Sequence, residues 1–172
     1  VSGVSLEGDW SPRVASARDF AARHELASAY DTCPELLADV SAIYVASPHG
    51  SHADYARQAI EHGVHVLCEK PLTLTGAEAR DLYRCAADRG VVLLEAIKTA
   101  FAPGFQRMIA IARMGEIGTV RSVDATFTKL VASGRELDPD EGGSISELAS
   151  YPLLAIVKLL GTDFTDLRTQ SW

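Results

Sequence analysis

The chain has 172 residues, of which 47% are hydrophobic and 23% charged, a composition that excludes a disordered chain and allows a buried core. Its formal net charge of −7, without any run of Lys or Arg, works against attraction to phosphate backbones, so no nucleic-acid partner is expected. No apolar run approaches the roughly 20 residues that cross a bilayer, a signal peptide could lie only upstream of Val1, and Cys33, Cys68 and Cys85 form no CxxC pair; the expected setting is a reducing cytoplasm, with no membrane and no metal.

In chain order, Val4 to Leu6 reads as a short first strand. Ser11-Pro12 has the pattern of an N-cap followed by proline at the first helical position, with Val14, Ala17 and Ala21 as an apolar stripe and an end near His24. Thr32-x-x-Glu35 and Thr75-x-x-Glu78 read as capping boxes that open two further helices. Between them lie a strand from Ala42 to Ala46, a helix capped by Ser51 and stopped by Gly63, and a strand from His65 to Cys68. Gly90 closes the next helix, and Val91 to Leu94 forms the last buried strand. Through Glu95 strand and helix alternate without exception, the pattern of a parallel sheet covered by helices.

The rhythm then changes. A helix from about Pro103 to Met114 stops at Gly115, and Val120 to Leu130 reads as a long strand with Val123, Ala125 and Phe127 on one face, opening a second sheet. Residues 144–160 carry apolar side chains at helical spacing, with a kink expected at Pro152. The fold class is therefore α/β: an incomplete Rossmann-type doubly wound parallel sheet over residues 1–98, followed by the start of an α+β substrate domain over residues 99–172.

Open α/β sheets bind ligands beyond the carboxyl ends of their strands. That rule singles out Asp9-Trp10, Ser47-Pro48-His49, Glu69-Lys70-Pro71 and Glu95-Ala96-Ile97-Lys98. An acid after the second strand of a Rossmann unit accepts hydrogen bonds from the adenosine ribose and repels a 2′-phosphate, so Asp9 favours NAD over NADP; a solvated turn aspartate is the plainer alternative. Trp10 either covers the adenine face or caps the core. Lys70, between a buried strand and a proline, is held at the sheet rim with little freedom, whereas a lone lysine is more often a surface group. Cys68 has no base beside it in sequence and reads as a buried apolar cysteine rather than a nucleophile. His49 and His52 have a spacing that could suit a metal but lack a third ligand, so capping and packing roles outweigh it.

Ala46-Ser47-Pro48-His49-Gly50-Ser51-His52, followed by Gly63-Val64-His65-Val66-Leu67-Cys68-Glu69-Lys70-Pro71-Leu72, closely resembles the Gfo/Idh/MocA family, the group of glucose-fructose oxidoreductase and inositol dehydrogenase. Glu69-Lys70-Pro71 is the family's most specific mark, and its downstream Gly-x-Ile-Gly appears as Gly115-Glu116-Ile117-Gly118. The stretch from Glu95 to Pro103 resembles one branch, and Asp138-Pro139 through Gly161 resembles the Gly-rich approach to the substrate-domain helix. The resemblance covers essentially the whole chain. It implies an NAD(P)-dependent oxidoreductase that moves a hydride between nicotinamide and a secondary alcohol of a sugar, polyol or cyclic diol, commonly as a homo-oligomer.

By that resemblance Lys70 contacts the nicotinamide ribose and the reacting hydroxyl, and Glu69 orients the cofactor side. The remaining cofactor contacts are expected from Asp9, Trp10, Ser47, Pro48, His49 and His52. The family's Asp-x-Gly-x-His motif falls on Glu147, Ala149 and Tyr151; tyrosine at its last position is similar to the dihydrodiol dehydrogenase branch. Tyr151 is then the proton carrier, Glu147 a further catalytic position, and Lys98 and Tyr151 the substrate contacts. A tyrosine of ordinary pKa about 10 is a weak base, and neighbouring cations favour its phenolate, the part that falls to Lys70 and Lys98. Glutamate for aspartate and alanine for glycine keep a second reading open: a dinucleotide-binding sensor or regulator without turnover, or an inactive truncated member.

Spacing adds one expectation. In a Rossmann unit the G-x-G-x-x-G turn lies about 20 residues before the acidic ribose reader. With Asp9 as reader the turn falls before Val1, and the 172 residues contain no G-x-G-x-x-G. This polypeptide alone is expected to bind NAD weakly or not at all, to lack dehydrogenase activity and to expose an apolar sheet edge.

Overall fold

In the computed structural model, which describes residues 3–134, 137–138 and 143–170, strand and helix alternate through Glu95 as the apolar periodicity requires. The order is β1 (Gly8–Trp10), α1 (Val14–Arg23), β2 (Ser28–Tyr30), α2 (Cys33–Asp39), β3 (Ala42–Val45), a 3-10 turn (His49–Ser51), α3 (His52–Glu61), β4 (His65–Cys68), α4 (Gly76–Arg89) and β5 (Leu93–Glu95). Both capping boxes form: Thr32 and Thr75 accept from the amides of Glu35 and Glu78, whose carboxylates accept in return from the amides of Thr32 and Thr75 at 3.1 Å. Each such cap stabilises its helix by about 1 kcal/mol.

All the strand pairs among the described residues are parallel. β3, β4 and β5 form one three-stranded sheet in that order, and β1 and β2 form a separate pair. In a doubly wound sheet of order 3-2-1-4-5-6, the pair β2-β1 and the triplet β3-β4-β5 correspond to the strands on either side of the first. Val45, Val66, Cys68 and Leu93 pack into one core with Ala56, Ala59 and Ile60 of α3 and Leu82 and Ala86 of α4. Full burial of Ile60 alone contributes roughly 1.5–3 kcal/mol. On the opposite face Tyr44, Leu67 and Leu94 are register partners across the three strands, and all three are exposed.

Some boundaries differ from the expected ones, each for a traceable reason. The first strand starts at Gly8 rather than Val4, and Val4 and Leu6 stay exposed, because β1 extends only as far as its three-residue partner β2. That pairing is close: a Cβ on Gly8 would lie 2.6 Å from Ser28 O. Helix α1 begins at Val14 with Arg13 at the N-cap, while Ser11 Oγ accepts from the Arg13 amide at 3.3 Å and serves the preceding turn. β5 starts two residues later than expected because the Val91 amide donates to Ala86 O at 3.0 Å, finishing the left-handed Gly90 stop of α4.

Residues 96–172 form a second compact unit. It holds α5 (Lys98–Phe101), which the sequence did not foretell, then α6 (Pro103–Arg113), α7 (Gly143–Leu148) and α8 (Ser150–Leu160). α6 opens on its proline and runs into Gly115 at φ +82° as expected, and Arg113 Nη2 donates to Lys158 O at 2.9 Å, joining α6 to α8. The long strand expected over Val120 to Leu130 does not form: the segment has no strand hydrogen bonding, and Leu130 is fully exposed. A strand needs a ladder partner, and none pairs with it among the described residues. The expected kinked helix is instead two helices that part at Ala149, which places Pro152 in the first turn of α8, where its missing N–H is tolerated. Pro139 and Gly142 of the Gly-rich approach lie outside the described residues.

Candidate functional site

The carboxyl rim of the β3-β4-β5 sheet gathers most of the singled-out residues of the first unit. After β3 the chain passes Ala46-Ser47-Pro48 into the 3-10 turn, where Ser51 Oγ lies 2.8 Å from both Ser47 Oγ and Pro48 O. Ser51 therefore ties this loop and does not cap α3, whose N-cap has no side-chain hydrogen bond. After β4 the chain passes Glu69-Lys70-Pro71, with the Glu69 amide donating to Val45 O at 2.9 Å, so the two loops start side by side.

His52 is completely buried. Its ring bridges the loops, with Nδ1 2.8 Å from Pro71 O and Nε2 2.8 Å from Ser47 O. His49 is also buried, its ring edge-on to that of His52 at 5.6 Å. The His52 ring thus packs between the two loops. Among the described residues no group of three or more His, Cys, Asp or Glu stands close enough to hold a metal ion.

Lys70 is 8% exposed at the rim, and its peptide bond to Pro71 is cis. The backbone around it is held at several points. The Lys70 amide donates to Glu69 Oε2 at 3.3 Å, and the Leu72 amide donates to Glu95 Oε1 at 2.9 Å. The other Glu69 oxygen, Oε1, accepts from Tyr44 Oη at 2.5 Å. Neither Tyr44 nor the part played by Glu95 was evident in the sequence. Tyr44 sits on the same sheet face as Leu67 and, two residues on, Glu69, an alternation that could have pointed to it; Glu95 required knowing that it stands opposite Cys68.

The hydrogen bond to Glu69 is the main cause that pushes the Tyr44 phenol up to about 12, with burial and the Glu69 charge adding to it. A raised folded value means that this stabilisation is complete below the ordinary tyrosine pKa of about 10 and is lost as pH climbs through about 12. An absorbance titration should therefore show that the step missing from Tyr44→Phe is centred near 12; a missing step at the ordinary tyrosine value would contradict the bond. Burial, followed by the charges of Glu95 and Glu69, likewise pushes the Cys68 thiol up to about 12. A thiol held protonated in the core is inert, which favours the apolar reading of Cys68.

Asp9 and Trp10 close β1 from within the strand, not after it, because the strand begins at Gly8. Burial raises the Asp9 carboxyl, opposed by a hydrogen bond from the Trp10 amide. The Trp10 ring meets Tyr55 edge-on at 5.2 Å and packs on the core. Lys98, Glu147 and Tyr151 belong to the second unit. Lys98 is exposed at the start of α5. Glu147 lies in α7, and Tyr151, in the first turn of α8, stacks on Phe127 at 4.9 Å and 22°.

Comparison with known proteins agrees with this geometry. The profile of the GFO_IDH_MocA group, described as an oxidoreductase family with an NAD-binding Rossmann fold, matches residues 2–97. D-xylose 1-dehydrogenase (NADP(+)) 2 of Haloferax volcanii is 38% identical over 141 residues, covering 78% of this chain and 43% of that protein. Trans-1,2-dihydrobenzene-1,2-diol dehydrogenase of Sus scrofa is 34% identical over 149 residues, covering 84% and 44%. The crystal structure of GenD2 from gentamicin A biosynthesis, in complex with NAD, superposes with a TM-score of 0.82 at 32% identity, covering 92% of this chain and 47% of that one. The chain thus spans about half the length of the relatives it matches.

Proposed function

Since the chain belongs to the GFO_IDH_MocA oxidoreductase family, with its NAD-binding Rossmann fold, we propose that the whole protein transfers a hydride between a nicotinamide dinucleotide and a secondary alcohol of a sugar, polyol or cyclic diol. The observation that carries this reading is Lys70, buried at the carboxyl rim of a parallel sheet on a backbone pinned to the neighbouring Ser47-Pro48 loop. The rim offers a serine hydroxyl, an ammonium and a carboxylate, a donor and acceptor set that suits ribose hydroxyls and a carboxamide. A nicotinamide group bound there supplies the hydride chemistry. Ser47, Pro48 and His49 flank the group on one side and Glu69 orients it on the other. Lys70 holds the substrate oxygen; for Tyr151, the family pattern supports the role of taking or returning a proton.

The substrate class rests on the family pattern and on relatives named for xylose and for a dihydrobenzenediol. Incubating the whole protein with oxidised dinucleotide and a panel of such alcohols should yield reduced nicotinamide; tight dinucleotide binding without turnover on any of them would favour the sensor reading that Glu147 and Ala149 keep open. Tyr151→Phe should slow turnover strongly and remove one limb of the pH–rate profile, and an unchanged profile would refute its proton role. We infer a cytoplasmic homo-oligomer for the whole protein, since the thiols Cys33, Cys68 and Cys85 suit a reducing compartment and family members commonly pair.

Among the two cofactors the reading favours NAD. Several relatives are named for NADP, and the solved structures hold NADP or NAD, so the preference for NAD in this chain rests on Asp9 alone. A carboxylate at the end of β1 repels a 2′-phosphate. Asp9→Ser should narrow the ratio of NADP to NAD dissociation constants by about tenfold, measured by titration of the whole protein; tighter NADP binding by the unmutated form would refute the assignment.

A further inference from the structure

We infer that Glu95, together with His52, is a positioning residue for Lys70, pinning the backbone on which the lysine stands. The inference rests on the catalytic reading of Lys70 given above and extends it to two residues that lie outside the strand-end tripeptide. Glu95 ends β5, directly opposite Cys68 in the parallel register. That register carries its carboxylate to the Leu72 amide, two residues beyond Lys70, at 2.9 Å. From the other side His52, at the first position of α3, meets Pro71 O at 2.8 Å while holding Ser47 O at the same distance. The segment Lys70-Pro71-Leu72 is therefore anchored from β5 on one side and from α3 on the other. Its carbonyl and its amide are both engaged by side chains that are themselves fixed to regular elements.

A rim lysine on a free loop would sample many positions. Reaction rates are sensitive to misplacement of a catalytic group by about 1 Å, which can lower them about 100-fold. The Glu95 bond requires only an acceptor, not a charge, and this separates a positioning role from an ion-pair role. Glu95→Gln keeps an acceptor oxygen at the same reach, whereas Glu95→Leu removes it at similar size.

The test uses the whole protein with an alcohol that it oxidises. Glu95→Leu should lower kcat about 10- to 100-fold, with dinucleotide affinity changed by less than about threefold. Glu95→Gln should recover most of kcat, and His52→Leu should repeat the loss. Thermal unfolding identifies any variant that fails to fold, and Glu95→Ala then replaces Glu95→Leu. Full turnover in Glu95→Leu overturns the inference; so does Glu95→Gln as slow as Glu95→Leu, because charge would then be what Lys70 needs. Lys70→Met in the same set separates the two levels. If it keeps full turnover, the catalytic reading falls as well; if it is inactive beside a fully active Glu95→Leu, only the positioning role falls.

Discussion

Lys70→Met should lower turnover of the whole protein by about 10²–10⁴-fold, the range associated with loss of a positioned acid, base or electrostatic group, and should leave the fold unchanged. Lys70 is buried at the sheet rim, so its aliphatic stem already packs, and methionine offers a flexible apolar side chain of comparable length. What disappears is the ammonium. A lysine acting only as a solvated surface group would tolerate the change. Steady-state rates with matched thermal unfolding curves check the result, and a variant that keeps most of its activity removes Lys70 from the chemistry.

The second large effect concerns the 172-residue polypeptide taken by itself. It should bind NAD too weakly to detect by calorimetry at micromolar concentrations, and it should associate with itself. A Rossmann unit holds pyrophosphate with the backbone N–H groups of its glycine turn and the positive end of the following helix, and these residues contain no G-x-G-x-x-G. Among the described residues β1 and β3 each have a single strand partner, in separate sheets, which leaves backbone donors and acceptors on their other edges. The exposed row Tyr44, Leu67 and Leu94 adds apolar surface on a face that parallel sheets ordinarily cover. Sedimentation velocity reports the association. Micromolar NAD binding by this polypeptide would mean that a glycine turn is dispensable here or that Asp9 is not the ribose reader.

Local signals were the most legible part of the chain. Thr32-x-x-Glu35 and Thr75-x-x-Glu78 form their capping boxes, Gly90 stops α4, and His65 to Cys68 is the strand that its apolar run implied. These features depend on neighbours in sequence, and periodicity reads such neighbours well. Features set by partners far along the chain were not legible. The extent of β1 depends on Ser28–Tyr30, and the segment from Val120 to Leu130 alternates like a strand with no ladder partner among the described residues. The site divides in the same way. Lys70 and Ser47 stood out as strand-end residues, while Tyr44 and Glu95 act through register across strands.

The central claim is that the rim formed by Ser47-Pro48-His49 and Glu69-Lys70-Pro71 receives the nicotinamide end of the cofactor. A crystal structure of the whole protein with its dinucleotide bound tests this most directly. Lys70 Nζ should lie at hydrogen-bonding distance, about 3 Å, from the nicotinamide ribose, with the Ser47 loop against the same ring and the Glu95 bond to Leu72 intact. A dinucleotide seated away from this rim, or one whose nicotinamide lies beyond the reach of Lys70, would contradict it.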